Sequence, residues 1–335
     1  MSQPRVYCVL GGGGSFGLYT SRELLEHGDA ERVIAVGRSV PKSRAFTLGV
    51  GEGDGRYEYH AIHIGYEFDR LMELLDSARP YVIVNYAAQG ESAASWSESW
   101  RYFETNAVAL VRLVEELQRV DWLERFIQIS TSELYGSCDS AVSEDAPLRP
   151  TSPYAASKAA FDMYLMTVAS RFPFNIIRPS NAYGPGQQLH RVIPKAILYG
   201  LTGRKLALHG GGVARKSYIH SRDLARCVRM VAERASRDQA TRVYNAGPHI
   251  PTPIRHVIKL IADALEMPFD ELCDASSAPR FGEDACYWLN SGAIKRDVGW
   301  EPEIGWHEGL SETIKWVRAN LDELRALPTD FVLRP

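Results

Sequence analysis

The stretch VYCVLGGGGSFG, Val6–Gly17, decides the fold. Val6–Leu10 is a run of five apolar residues and reads as a buried strand. The glycines that follow at Gly11, Gly14 and Gly17 have the spacing GxxGxxG, and a helix is expected over Tyr19–Glu26. A tight turn needs the first glycine, approach of a pyrophosphate to the backbone the second, and close helix–sheet packing the third. The helix N-terminus then offers free N–H groups to phosphate, with Ser15 and Phe16 beside it. The next strand, Arg32–Val36, runs into Gly37-Arg38 rather than an acidic residue. An acid there would hold a ribose 2′-hydroxyl, whereas an arginine accommodates a 2′-phosphate. The expected cofactor is therefore NADP, held by Arg38, with NAD as the alternative.

Outward from this motif, short apolar runs alternate with amphipathic stretches. Strands are expected at Arg56–His60, Tyr81–Tyr86, Arg125–Ile129 and Phe174–Arg178, and helices at Phe68–Leu75, Arg101–Arg119 and Pro153–Ser170. Strands separated by helices predict a doubly wound parallel α/β sheet covered on both faces. Beyond Pro179 the composition shifts, with helices expected at Val192–Tyr199, Asp223–Glu233, Ile254–Ala264 and Gly309–Asn320. This divides the chain into a dinucleotide-binding unit, 1–180, and a smaller substrate-binding lobe, 181–335, whose chain crosses back to the main sheet.

Composition excludes several classes. Among 335 residues, Lys+Arg 38 against Asp+Glu 41 gives a net charge of −3, which argues against a polybasic nucleic-acid or membrane-surface protein. Five scattered cysteines with no CxxC pair argue against a disulfide scaffold or a zinc site and fit a reducing, cytoplasmic compartment. No apolar run approaches the ~18 residues of a membrane span, and the nine histidines lack metal-ligand spacing.

The strand Arg125–Ile129 ends at Ser130-Thr131-Ser132-Glu133, where a parallel strand meets its ligand crevice. Tyr154 and Lys158 follow in YAASK, four residues apart and hence on one helix face. An ammonium beside a phenol favours the phenolate, making Tyr154 a base for a hydroxyl proton while hydride leaves the same carbon. Thr131 is expected to bind that hydroxyl.

These motifs, with NYAA (Asn85–Ala88), Asn106, STSELYG (Ser130–Gly136), SPYAASK (Ser152–Lys158), RPSNAYGPGQ (Arg178–Gln187) and KSYIHSRDLA (Lys216–Ala225), resemble the extended short-chain dehydrogenase/reductases that act on nucleotide sugars. The resemblance implies a Rossmann sheet of about seven strands. It also implies cofactor contacts from Ala87, Asn106, Tyr154 and Lys158, and a nucleoside diphosphate sugar held by Asn181, Arg191, Lys216 and Arg280. A homodimer built on the helices of Asn106 and Tyr154 is implied too, with a homotetramer as the alternative. Thr131-Ser132-Glu133 is similar to the tract of 4,6-dehydratases, most closely GDP-mannose 4,6-dehydratases. In that reading Glu133 removes the C5 proton of a C4-oxidised hexose, and Ser132 or protonated Glu133 assists loss of the C6 hydroxyl. The alternatives are a 4-epimerase, a decarboxylase of UDP-glucuronate-type substrates, a 4-reductase, or a non-catalytic NADP-binding sensor. Two departures from the family pattern stand out: Tyr86, and the loop Gln89-Gly90-Glu91-Ser92.

Overall fold

The structure, a computed structural model, describes residues 5–234, 241–278 and 284–333. The first strand, β1 (Val6–Leu10), has Val6, Cys8 and Leu10 in one hydrophobic cluster and Tyr7 and Val9 in another. A strand buried on both faces belongs at the centre of a parallel sheet. It pairs in parallel with β2 (Arg32–Gly37) on one side and β4 (Val82–Asn85) on the other, and β3 (Tyr57–Ala61) extends the sheet beyond β2. On the other wing come β5 (Arg125–Ile129) and β6 (Phe174–Pro179), and the strand Thr241–Ala246 lies parallel to β6 at the edge. The sheet thus has seven strands, with β4 and β2 flanking β1 and the chain reversing direction across the sheet there. That reversal is a topological switch point, the place where open α/β sheets bind ligands.

Helices cover both faces. Apolar residues of α1 (Ser15–His27), including Leu24 and Leu25, pack on one face, while α2 (Arg44–Thr47) lies beyond β2. The other face is covered by α3 (Phe68–Ala78), then α4 (Ser99–Phe103), a π-helical turn at Glu104–Val108, and α5 (Ala109–Leu117). The single helix expected over Arg101–Arg119 is therefore interrupted. A π turn inserts an extra residue and re-aims its side chains, and here it carries Asn106, which is fully buried. Next on the same face is α6 (Pro153–Thr167), started by the Ser152 side chain, which accepts from the Ala155 N–H, and by Pro153 in the first turn.

The second half is built on α7 (Val192–Leu201), the helix Ile254–Ala264 and the helix Trp306–Ala319, which share their own apolar cluster. Between them, α8 (Ser221–Arg234) turns back to pack against α1 and the main sheet. Burial of each large apolar side chain in such clusters is worth about 1.5–3 kcal/mol. Among the described residues no helix is long and apolar enough to cross a membrane, and all five cysteines are free and buried.

Candidate active site

The glycine loop closes tightly against β4. Gly11 has φ +76°, and a Cβ on it would lie 2.6 Å from the Ala87 nitrogen. A Cβ on Gly17 would lie 2.7 Å from the Gly11 carbonyl oxygen, so α1 can sit this close to the loop only with glycine there. Gly14 is more open, with only the Gly11 oxygen, 3.3 Å away, near its added Cβ. No side chain caps α1. The Ser15 hydroxyl is buried and has no hydrogen-bond partner among the described residues. A free helix N-terminus beside an orphaned hydroxyl fits a dinucleotide pyrophosphate. Phe16 packs against the core cluster.

At the end of β2 the geometry departs from the 2′-phosphate reading. A Cβ on Gly37 would stand 2.4 Å from the Tyr59 hydroxyl, which donates to the Ser39 carbonyl at 2.5 Å. Gly37 is small because Tyr59 crosses it, and so opens no space for a phosphate. Arg38 is exposed, and its charge joins burial in pushing the His63 imidazole below its usual range.

Thr131, Glu133 and Tyr154 come together at the mouth of β5. Thr131 caps a short 3-10 turn, Ser132–Tyr135, its hydroxyl accepting from the Glu133 N–H at 3.2 Å. The same hydroxyl is hydrogen-bonded to Tyr154. Burial pushes the Tyr154 phenol up, and the Glu133 charge adds to this, while Arg191 and the Thr131 bond pull it down. Burial likewise raises the Glu133 carboxyl, against the pull of Lys216, a bond to Ser92 and the charge of Arg191. Ser132 is buried.

Lys158 shares the Tyr154 face of α6 but turns toward the sheet, donating to the Ile129 carbonyl at 2.8 Å. The foremost influences on the phenol are therefore burial and Glu133 rather than the expected ammonium. Burial lowers Lys158 itself to about 8, with Asp162 opposing. Asn106, expected among the cofactor contacts, is fully buried on the π turn. Its amide oxygen accepts from the Gln89 N–H at 2.7 Å, and its nitrogen donates to the Gln89 carbonyl at 3.0 Å and Ser157 Oγ at 2.9 Å. Ser157 in turn donates to the Tyr154 carbonyl at 2.7 Å, so Asn106 ties the loop after β4 to the Tyr154 helix.

On the lobe side, Arg191 precedes α7, and Lys216 is buried, donating to the Asp284 carbonyl at 2.8 Å with its ammonium 3.8 Å from the Tyr287 ring centre. Asn181 opens the short strand Asn181–Tyr183, parallel to Tyr218–His220. Arg280 lies outside the described residues. Sequence reasoning gave no role to three neighbours. Ser92 bonds Glu133, Glu91 pairs with Arg191 at 3.1 Å, and the Tyr102 ring stands edge-on to Tyr154 at 6.4 Å. Their signal was position, since all follow the C-terminal end of β4 at the switch point. Among the described residues no group of three or more His, Cys, Asp or Glu could hold a metal ion.

Fold and site together define a dinucleotide-dependent enzyme in which Thr131, Tyr154 and a raised Glu133 carboxyl come together at the mouth of β5, with Lys158 buried beneath them. The chain belongs to the NAD dependent epimerase/dehydratase family, which it matches over residues 7–247. It is 28% identical over 341 residues to the dTDP-glucose 4,6-dehydratase of Neisseria gonorrhoeae, covering 93% of this chain and 95% of that protein. The mouse dTDP-D-glucose 4,6-dehydratase is 29% identical over 246 residues, 71% of this chain and 68% of that one. The crystal structure of a dTDP-glucose 4,6-dehydratase from Streptomyces venezuelae, with NAD bound, superposes with a TM-score of 0.86 at 28% identity, covering 95% of this chain and 98% of that one.

The NADP expectation is thereby corrected. The family is NAD dependent, and several similar solved structures hold NAD. The physical reason is the one seen at β2, where Gly37 accommodates Tyr59 and Arg38 is an exposed residue beside His63. The GDP-mannose likeness, carried by Thr131-Ser132-Glu133 alone, gives way to the wider likeness to dTDP-glucose 4,6-dehydratases.

Proposed function

We propose that the protein is an NAD-dependent nucleoside diphosphate hexose 4,6-dehydratase that forms a 4-keto-6-deoxy sugar nucleotide, with a dTDP- or UDP-hexose as its substrate. The observation that carries this reading is Glu133, a carboxyl raised by burial and placed in one cleft with Thr131 and Tyr154. A raised carboxyl is matched to proton abstraction near neutral pH.

The glycine loop, the α1 N-terminus, Ser15 and Ala87 would hold NAD, which when bound accepts hydride from C4 and returns it at C6. Thr131 holds the sugar O4 against Tyr154, and Tyr154 takes the O4 proton as the C4–H bond breaks. Lys158, charged below about pH 8, supports the developing phenolate from beneath the cleft. The new C4 ketone acidifies the C5 proton, which Glu133 removes. The C6 hydroxyl then leaves as water with the proton that Glu133 took, the buried Ser132 hydroxyl beside it. Once C6 has its hydride, the C5 carbanion takes a solvent proton by way of the site's acids, Glu133 and Tyr154. Arg191 and Lys216, with Arg280 and Asn181, would bind the diphosphate and sugar. Asn106 acts as a positioning residue through Ser157. The unit 1–180 carries the chemistry and 181–335 most of the substrate contacts.

The test is turnover of dTDP-, UDP- and GDP-hexoses in deuterium oxide. Loss of water together with deuterium at C5 is the expected product; an epimer without C5 exchange, or net consumption of NADH, would overturn the reading.

We further propose a homodimer. Val108 is 64% exposed, Trp100 62%, Met163 60% and Met166 51%, all on the α4, π-turn and α6 surface. Contiguous apolar surface of this kind on adjacent helices suits a second copy of the chain across a two-fold axis. Sedimentation should give a dimer for the parent protein and a monomer for the V108E/M163E variant.

A further inference from the structure

Glu91 is one of four non-glycine residues at positive φ among the described residues, with φ +81°. Such a backbone costs on the order of 1 kcal/mol or more for a side chain that is neither glycine nor asparagine, and it persists where the surroundings enforce it. Here they do. The Tyr102 hydroxyl donates to the carbonyls of Gly90 and Glu91, each at 3.2 Å, and Tyr102 in turn packs against Tyr154. The next residue, Ser92, donates to Ser152 Oγ at 2.7 Å and lies beside Glu133, whose carboxyl it helps hold down. The Glu91 loop is thus fastened to both the carboxyl and the phenol of the site.

The Glu91 side chain is largely buried and ends on Arg191 at 3.1 Å, with His190 at 3.6 Å. Burial and the Arg191 charge drive His190 down to about 4, so its imidazole is neutral near pH 7. Among the described residues Arg191 is therefore the charged partner of Glu91, and the pairing holds its guanidinium. Without Glu91, Arg191 would be an available partner for a carboxylate on the bound sugar. With Glu91 present, a sugar carboxylate would meet two acidic groups, Glu91 and Glu133.

We propose that Glu91 is a specificity-determining residue that selects sugar nucleotides with a neutral C6 hydroxyl and rejects those with a C6 carboxylate. The inference rests on the site reading above and names the substrate class of that same site. Its chemistry is electrostatic: a sugar carboxylate brought between Glu91 and Glu133 is repelled by both, and Arg191 is held by Glu91.

Binding, read without turnover, separates this inference from the dehydratase reading. The NAD-loaded protein is titrated calorimetrically with two matched pairs, UDP-glucose against UDP-glucuronate and dTDP-glucose against dTDP-glucuronate. The parent protein should bind the glucose member of at least one pair roughly tenfold or more tightly than its uronate. E91Q keeps the shape, releases Arg191, and should shrink that ratio to about threefold or less, chiefly by gaining uronate affinity. Adding R191M to E91Q should remove the gain. E91G relieves the positive-φ strain, so it should melt no lower than the parent while losing selectivity as E91Q does. A purely structural Glu91 would instead lower the melting temperature in E91G and leave the ratio intact. An unchanged ratio in E91Q, or no binding of either pair by the parent, overturns the proposal. Selective binding without any dehydrated product would leave it standing and refute only the dehydratase reading.

Discussion

E133Q is expected to lose dehydration by about 10²–10⁴-fold while still oxidising C4. Glutamine keeps the size of the side chain and can still bond Ser92, but it cannot take the C5 proton. The Glu133 charge is one of the groups that raise the Tyr154 phenol, so its removal makes the phenol easier, not harder, to ionise. The first half of the reaction is therefore spared. Single-turnover absorbance should show NADH formed and then held, with deuterium exchange at C5 suppressed. An E133Q protein that dehydrates at the parent rate would remove Glu133 from the mechanism.

D162A should be the most destabilising single substitution near the site. Asp162 is fully buried on α6, where it accepts from Arg178 Nε at 3.1 Å and from Ser130 Oγ at 2.8 Å. Its alanine variant would leave the Arg178 guanidinium buried without its counter-ion, at a cost of about 3–5 kcal/mol. For a chain of this length that corresponds to a fall of roughly 4–7 °C in melting temperature. D162N isolates the electrostatic part, since asparagine can still accept from Ser130. Asp162 opposes the lowering of Lys158 by burial, so losing its charge moves Lys158 below about 8. The ammonium then loses its proton at lower pH, and the alkaline limb of kcat/KM should shift downward in D162N. A limb unmoved in D162N would disconnect Lys158 from the rate.

Each of these substitutions acts through a partner distant in sequence. Glu133 meets Ser92, Thr131 meets Tyr154, and Asp162 meets Arg178 from the neighbouring strand β6. The i,i+4 spacing put Tyr154 and Lys158 on one face of α6. It could not show that Lys158 would be turned toward the Ile129 carbonyl, because side-chain direction depends on what lies beneath the helix. Likewise the run Arg101–Arg119 has helical periodicity throughout, and the π turn at Glu104–Val108 follows from tertiary demands on Asn106.

By itself, the sequence determined the parallel α/β sheet, the glycine loop and the order of the reactive residues, because these rest on local periodicity and on residues near in the chain. Val6–Leu10, Arg125–Ile129 and Ile254–Ala264 form as their patterns require. Only the tertiary structure decided what Gly37 and Arg38 mean, since the clue was Tyr59, one strand over in β3, whose hydroxyl occupies the space that Gly37 leaves. It also decided the charge around Glu133: Glu91 follows β4, Glu133 follows β5 and Arg191 precedes α7, and burial raises the Glu133 carboxyl while Arg191, paired with Glu91, pulls it down. Cross-strand sterics and through-space electrostatics have no period along the chain, so they become visible only once the strands are side by side.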